Sequence, residues 1–246
     1  MEMLDNYEPN DEGLQLMRAH IRILCNHDEA VFDYVELWIA HLLQCPAEKS
    51  TTPVMIGKPG SGKGSFVKFL TLMMGASKVF ETAEPSIYVW GHFNPLMATC
   101  YLVNLNELSK KEFNGCENRF KSLQTDPSMT IHGKNVNPFK TVSYHKWLIT
   151  TNNDYCADAS KGQRRNTVIR GSDEKCGDKA YFTDLNRAMS DRNVIKTCFE
   201  YYRNLDISDF LSIFQAHARD RAPKGSPNLV PDPRRELARV VHHQAH

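Results

Sequence analysis

The sequence predicts an α/β fold with a central parallel sheet flanked by helices. Two observations predict it: apolar runs of buried-strand type alternate with segments of helical periodicity, and one glycine-rich turn joins a strand to a helix. The chain has 246 residues, 41% of them hydrophobic, with 30 Lys and Arg against 29 Asp and Glu. This average composition excludes a disordered or fibrous chain, and the net charge of +1 excludes a protein that coats nucleic acid by bulk positive charge.

The cysteine pattern and the short apolar segments predict a reduced, intracellular, soluble protein. There are seven cysteines and no two form a CxxC pair, which argues against a zinc ribbon or a disulfide framework. The longest apolar stretch, 35–43, contains Glu36 and His41 and is too short to span a bilayer. The N-terminus lacks the basic start and apolar run of a signal peptide. We therefore expect no contact with a membrane.

The predicted elements follow one another as an α/β core with helical segments at its N- and C-terminal sides. Apolar residues at helical spacing predict helices at 14–24, 31–43, 66–74, 178–190 and 193–204, and a capping box at 109–112 opens another. Apolar runs predict strands at 51–56, 100–105, 146–151 and 165–170, and alternation over 129–142 predicts a β-hairpin. The expected domains are a helical lead (1–50), the core (51–172), C-terminal helices (173–215) and a flexible, basic tail containing Pro and His (216–246).

The strongest motif is the glycine-rich turn between the strand at 51–56 and the helix at 66–74. Its pattern is Gly-x4-Gly-Lys, from Gly57 to Lys63. Glycines let backbone N–H groups turn toward phosphate oxygens, a helix N-terminus favours the same anion, and the lysine would reach the β- and γ-phosphates. The motif predicts an ATP site, with an incidental turn as the alternative. Its expected residues are Gly57, Pro59, Gly60, Ser61, Gly62, Lys63, Gly64, Ser65, Phe66 and the later Asn106.

The residues expected to bind Mg²⁺ depart from the usual motif. Gly64 stands where a Ser or Thr hydroxyl normally binds the ion, so either Ser65 or a water takes that place. Asn106 ends the strand at 100–105, where an Asp is usual. Its carbonyl oxygen can bind Mg²⁺ but brings no negative charge. If Ser65 does not compensate, hydrolysis would be slow.

Three further polar residues suit ATP hydrolysis. Glu107 is expected to polarise the attacking water, and Asn152, after the strand at 146–151, to hydrogen-bond the γ-phosphate and that water. Arg165, with Arg164 as second choice, is expected to neutralise transition-state charge. Each residue alone is also explained by an ordinary polar turn. Their order after the glycine-rich loop favours an ATPase.

These motifs together resemble a superfamily 3 helicase, a viral and plasmid branch of the AAA+ ATPases, in its poxvirus- and phage-type primase–helicase form. The resemblance covers about 31–210 and implies an AAA+-like P-loop core. Besides the glycine-rich loop it includes Trp38 to Gln44 with Pro46 and Lys49, Leu105 to Glu107, 120–125, 129–134, 150–153, Arg164 with Arg165, 178–182 and 205–210.

The resemblance implies a hexameric ring that hydrolyses ATP with Mg²⁺ between subunits, the arginine coming from the neighbour. It also implies that the hairpin lines a central channel and contacts single-stranded DNA through Lys134 and His132, and that Lys121 faces DNA or nucleotide. A ring concentrates six copies of one lysine, which reconciles DNA binding with a nearly neutral chain. A primase domain or primase protein is the further partner implied, and the cytoplasm or a viral replication site the expected location.

Two other functions stay open from the sequence. The Gly-Lys-Gly-Ser variant at 62–65 also resembles the phosphate loop of adenylate-kinase-type enzymes, which would make the chain a nucleotide kinase. The third hypothesis is a module that binds ATP in order to assemble and hydrolyses little of it. Measured turnover, its dependence on DNA and the mass of the assembly distinguish the three.

Overall fold

The computed structural model describes residues 7–108, 110–135, 137–155, 165–208 and 210–211. Its centre is a five-stranded parallel sheet formed by β1 (Thr52–Ile56), β2 (Val79–Thr82), β3 (Leu102–Asn106), β6 (Lys146–Thr151) and β7 (Asn166–Arg170). The strands lie in the order β2-β3-β6-β1-β7. The predicted α/β class with a central parallel sheet is confirmed.

The two central strands are buried along their whole length. All of β1 and β6 is buried, and Val54 pairs with Ile149 between them. Strands covered on both faces must be apolar almost throughout, which is why their sequences show runs rather than alternation. Strand β2 is not predicted from the sequence, because its four residues include the exposed Glu81 and form no apolar run.

Helices cover one face of the sheet and join it in the larger core. They are α1 (Asp11–Leu24), α2 (Glu29–Gln44), α3 (Lys63–Met74), α6 (Lys179–Ser190) and α7 (Arg192–Asn204). Side-chain caps explain where several of them begin: Asn10 accepts from the N–H of Gly13, Asp28 from Val31 and Asp178 from Tyr181. No helix in the described part of the chain is long and apolar enough to cross a membrane.

The other face packs against a smaller core that contains the predicted hairpin. Strands β4 (Ser128–Ile131) and β5 (Phe139–Val142) pair antiparallel in a separate two-stranded sheet. Helices α4 (Pro85–Tyr88) and α5 (Lys110–Thr125) belong to this side, where Phe120 lies edge-on to Trp147 with ring centroids 5.2 Å apart. The boundaries predicted at 50, 172 and 215 stay predictions, and the 216–246 tail lies outside the described residues.

Candidate functional site

The glycine-rich loop connects the end of β1 to the start of α3, as the motif predicts. Gly60 and Gly62 have φ angles of +79° and +102°, a region that side chains with a Cβ rarely adopt. A Cβ at Gly62 would also lie 2.3 Å from Cε1 of His20, so that position needs glycine for two reasons. Helix α3 begins at Lys63, and the free N–H groups of its first turn favour an anion at the loop.

Lys63 extends back along the loop and meets the end of a distant strand. Its Nζ lies 2.7 Å from the carbonyl oxygen of Gly57, 3.1 Å from that of Lys58 and 2.8 Å from Oδ1 of Asn152. Burial lowers the pKa of Lys63, and the carboxylate of Glu107 opposes that shift. The tertiary structure therefore joins two predicted residues that are 89 positions apart.

Glu107 is held beside the same lysine by β6. Its backbone N–H donates to the carbonyl of Thr150 at 2.9 Å, and its Oε2 accepts from the N–H of Asn152 at 3.2 Å. Its φ of +51° is strained for a residue with a side chain and costs on the order of 1 kcal/mol. A carboxylate held in this position can accept a proton from a water in the cleft.

Asn106 lies between β6 and the edge strand β2. Its Oδ1 accepts from Oγ1 of Thr150 at 3.2 Å, and its Nδ2 donates to Oε1 of Glu81 at 2.8 Å. Glu81, which the sequence analysis missed, also lines the cleft. It brings beside Asn106 the negative charge that Asn106 itself lacks. No motif signals it, because only the pairing of β2 with β3 places it there.

A cleft of about 750 Å³ lies over these residues, a volume typical of small-molecule sites. The loop, the ends of β3 and β6 and helix α6 surround it. The α6 residues in its wall are Lys179, Phe182, Thr183 and Asn186. This wall is not predicted from the sequence, since an amphipathic helix more than a hundred residues after the loop gives no sign of where it packs.

The other predicted nucleotide residues divide between the cleft and the core. Pro59, Gly60, Ser61, Gly64 and Ser65 line the cleft, whereas Gly57 lies behind the lysine and accepts its hydrogen bond. The Oγ of Ser61 is buried and has no hydrogen-bond partner among the described residues. Phe66 is wholly buried in the core and its side chain does not line the cleft.

Arg165 lies at the edge of the sheet opposite the cleft. It directly precedes β7, and its carbonyl accepts from the N–H of Thr52 at 2.8 Å, where β1 begins. Because β1 and β7 are parallel, both strands start at that edge and run toward the cleft. Arg164 falls outside the described residues.

The predicted DNA residues lie on the hairpin and on α5, outside the cleft lining. Lys134 is exposed beside Asn135, whose φ is +57°. His132 is fixed by Asn94: its N–H donates to Oδ1 of Asn94 at 2.7 Å, and its carbonyl accepts from the N–H of Asn94 at 3.1 Å. Lys121 is half-buried near the end of α5.

Comparisons with known proteins place this α/β domain, with its loop and polar cleft, beside viral replication proteins. Residues 55–165 match a family of unknown function, DUF5906. The chain is 28% identical over 169 residues to the DNA primase-polymerase of Nitratiruptor phage NrS-1, an alignment that covers 66% of this chain and 23% of that protein.

The similar solved structures agree with this likeness. The C-terminal region of NrS-1 superposes with a TM-score of 0.64 and 17% identity, over 97% of this chain and 53% of that one. The JCV helicase superposes with a TM-score of 0.50 and 12% identity, over 86% of this chain and 61% of that one. The fold is thus similar to that of a viral helicase, and the sequence is similar to part of a phage replication protein. The chain spans less than a quarter of the length of that curated relative.

Proposed function

We propose that this chain is an ATP-driven DNA helicase or translocase of superfamily 3 type, acting in a phage-like replication apparatus. The observation that supports it most is the meeting of Lys63, Glu107 and Asn152 at one edge of the sheet, beside a glycine-rich loop. Phosphoryl transfer to water requires a cation to stabilise the phosphate charge and polar groups to orient the water, and this lysine, carboxylate and amide supply them beside the loop. The likeness to a primase-polymerase and to a viral helicase supports the DNA part of the proposal.

ATP fits the cleft in volume and in chemistry. A space of about 750 Å³ accommodates a nucleoside triphosphate. The unsatisfied hydroxyl of Ser61 and the N–H groups at the start of α3 offer hydrogen bonds to phosphate oxygens. Lys63 would exchange its loop carbonyls for the β- and γ-phosphates, which compensates its charge better than neutral carbonyls do.

Mg²⁺ fits the oxygen donors at the edge of β3. Ser65, Asn106 and Glu81 all line the cleft, and hydroxyl, amide and carboxylate oxygens are the ligands this ion prefers. When bound, Mg²⁺ would neutralise charge on the phosphate oxygens. Glu107 would accept the proton of the attacking water, Asn152 would orient that water, and Lys63 would stabilise the charge that develops on the γ-phosphoryl group.

The ring and its DNA contact belong to the same proposal. Arg165 lies at the sheet edge opposite its own cleft, a position suited to reach the nucleotide of a neighbouring subunit in a homo-hexamer. The exposed Lys134 on the hairpin would contact the phosphates of single-stranded DNA in a central channel, with His132 and Lys121 nearby. A primase would act on the same strand.

Measured ATP hydrolysis tests the catalytic part. Lys63→Ala and Glu107→Gln should each lower kcat at least about a hundredfold, because each removes a group that stabilises the transition state. Glu107→Gln should keep nucleotide affinity, since it retains the shape of the side chain. Equal rates in wild type and both variants would reject the assignment. Phosphate transfer to a mononucleotide, indifferent to DNA, would favour the kinase instead.

The DNA contact has a separate test. Lys134→Ala should weaken binding of a single-stranded oligonucleotide and flatten its salt dependence, while basal ATP hydrolysis stays unchanged. Lys140→Ala is the matched control, because Lys140 is also exposed but lies on β5, away from the hairpin turn. An unchanged affinity in Lys134→Ala at moderate salt would remove this lysine from the DNA site.

A further inference from the structure

A fully buried histidine bridges the glycine-rich loop and the far wall of the cleft. His20 belongs to α1 and has no exposed surface. Its Nε2 lies 3.1 Å from the carbonyl oxygen of Gly62, and its Nδ1 lies 2.9 Å from the hydroxyl of Tyr181 on α6. The imidazole is also in close contact with the Gly62 backbone, since a Cβ there would come within 2.3 Å of its ring.

The two hydrogen bonds have a fixed direction. The carbonyl of Gly62 can only accept, so Nε2 of His20 carries the hydrogen and donates it. A neutral imidazole then has a lone pair on Nδ1, and Tyr181 must donate its hydroxyl hydrogen to it. Burial lowers the pKa of His20 to about 4, in agreement with a neutral ring at pH 7. The result is a hydrogen-bond relay in which Tyr181 donates to His20 and His20 donates to Gly62.

Both ends of this hydrogen-bond relay, Gly62 and Tyr181, adjoin groups that face the cleft. Gly62 is the residue before Lys63 and caps α3. Tyr181 precedes Phe182 in the wall formed by α6, and its own position is fixed because its N–H donates to the side chain of Asp178 at 3.0 Å. His20 itself does not line the cleft. It can therefore affect a ligand only through the two elements that it joins.

We propose that His20 is a positioning residue that holds the α6 wall at a fixed distance from the phosphate loop. The loop would bind the phosphates and α6 would contact the nucleoside, so the histidine makes the two halves of the site act as one. This inference rests on the proposed ATP site. It predicts that removing the hydrogen bonds of His20 weakens the binding of ATP more than the binding of tripolyphosphate, which has no nucleoside.

Two substitutions remove different hydrogen bonds of this relay. Tyr181→Phe removes only the hydroxyl donor and leaves the bond between His20 and Gly62 in place. It should raise the Kd for ATP about five- to tenfold, leave the Kd for tripolyphosphate unchanged and leave kcat at saturating ATP unchanged. His20→Leu removes both bonds at similar volume and should weaken the binding of both ligands. Tyr201→Phe is the control, because that hydroxyl bonds Glu36 and neither residue lines the cleft, so the substitution should alter neither constant.

Non-additivity distinguishes positioning from a general loss of structure. The double variant of His20→Leu and Tyr181→Phe should bind ATP no more weakly than His20→Leu alone, since the hydroxyl acts only through the imidazole. Full-chain protein and thermal denaturation without ligand establish that each variant folds. If Tyr181→Phe binds ATP as wild type does, or if the two effects multiply, the positioning role is wrong. If the wild-type protein hydrolyses ATP under those outcomes, the proposed function stands without the positioning role. If the wild-type protein binds no ATP, both the proposed function and the positioning role are wrong.

Discussion

Two buried lysines lie at opposite edges of the sheet and differ in their hydrogen-bond partners. Lys63 is 8% exposed and begins α3 at the edge where the parallel strands end. Lys146 is fully buried and begins β6 at the other edge. Burial lowers the pKa of both amines, that of Lys146 to about 7. The cost of burying a cation is therefore common to them, and what differs is the set of partners.

The partners of Lys146 belong to the end of α2 and the turn that follows it, and none of them lines the cleft. Its Nζ donates to Nδ1 of His41 at 3.2 Å, to the carbonyl of Cys45 at 3.2 Å and to the carbonyl of Glu48. These carbonyls follow the C-terminus of α2, where a cation also offsets the helix dipole. Side-chain atoms of His41, Cys45 and Glu48 lie within 4.8 Å of one another, close enough for a metal ion. The amine that donates to His41 opposes a second cation there, so we interpret the group as structural.

The partners of Lys63 lie beside the cleft and not at a helix end. Two are carbonyls of the glycine-rich turn and the third is the side chain of the exposed Asn152, and both Lys63 and Asn152 line the cleft. We interpret Lys63 as a binding group, because an anion in the cleft would replace its acceptors. We interpret Lys146 as a structural group, because its acceptors belong to a packed helix end that does not line the cleft.

Substitution of Lys63 should give the largest functional effect and almost no structural one. Lys63→Met should weaken ATP binding at least about a hundredfold, since it removes the cation nearest the phosphates. The Tm should stay within about 2 °C of wild type, because water can solvate the three released acceptors. Fluorescence titration with an ATP analogue and thermal denaturation measure the two quantities. A large fall in Tm would contradict the contrast with Lys146.

Lys146→Met should give the opposite result. It removes the donor of the buried Nδ1 of His41 and of the carbonyls of Cys45 and Glu48, which should lower the free energy of unfolding by about 2–4 kcal/mol. For a chain of this size that corresponds to a fall in Tm of roughly 5–12 °C. The folded variant should bind ATP as tightly as wild type. An unchanged Tm would show that the buried amine does not stabilise α2.

Acid should destabilise the fold through two buried histidines, His20 beside the loop and His41 beside Lys146. Burial lowers the pKa of His20 to about 4 and that of His41 to about 3. Below pH 6.5 the unfolded chain therefore binds protons that the folded chain does not, so the free energy of unfolding falls as pH falls. We expect a loss of about 1–2 kcal/mol per buried histidine between pH 7 and pH 5, measured by urea denaturation. His20→Gln should reduce the dependence of the free energy of unfolding on pH. If the wild-type free energy of unfolding does not change with pH, the buried rings are not held neutral.

The smallest expected effect concerns the acid that faces the open cleft. Glu81→Gln should raise the Mg²⁺ concentration for half-maximal ATP hydrolysis roughly three- to tenfold, because it removes the carboxylate beside Asn106. Glu84→Gln is the matched control, since Glu84 is exposed nearby and does not line the cleft. Equal Mg²⁺ dependence in both variants would place Glu81 outside the metal site.

The parts of the site that could be predicted are those with a local signature. A glycine-rich turn, an apolar run and a polar residue after it are all properties of neighbouring residues, so Lys63, Glu107 and Asn152 could be named in advance. Glu81 and His20 could not, because each lies in a segment whose own pattern is ordinary, and 178–182 carried the resemblance without a sign that Phe182 would face the cleft. Phe66 follows the motif in sequence, yet helical geometry turns its side chain into the core.

The sequence by itself determined the class of fold, the position of the loop and the strands whose ends face it. It could do so because burial and backbone conformation leave their pattern in adjacent residues. Only the tertiary structure decided that β6 lies between β1 and β3, that β2 brings Glu81 to Asn106, and that α6 closes the cleft with His20 behind it. Those contacts join residues 25 to 161 positions apart. Packing of whole elements sets such contacts, and no local pattern records which elements will meet.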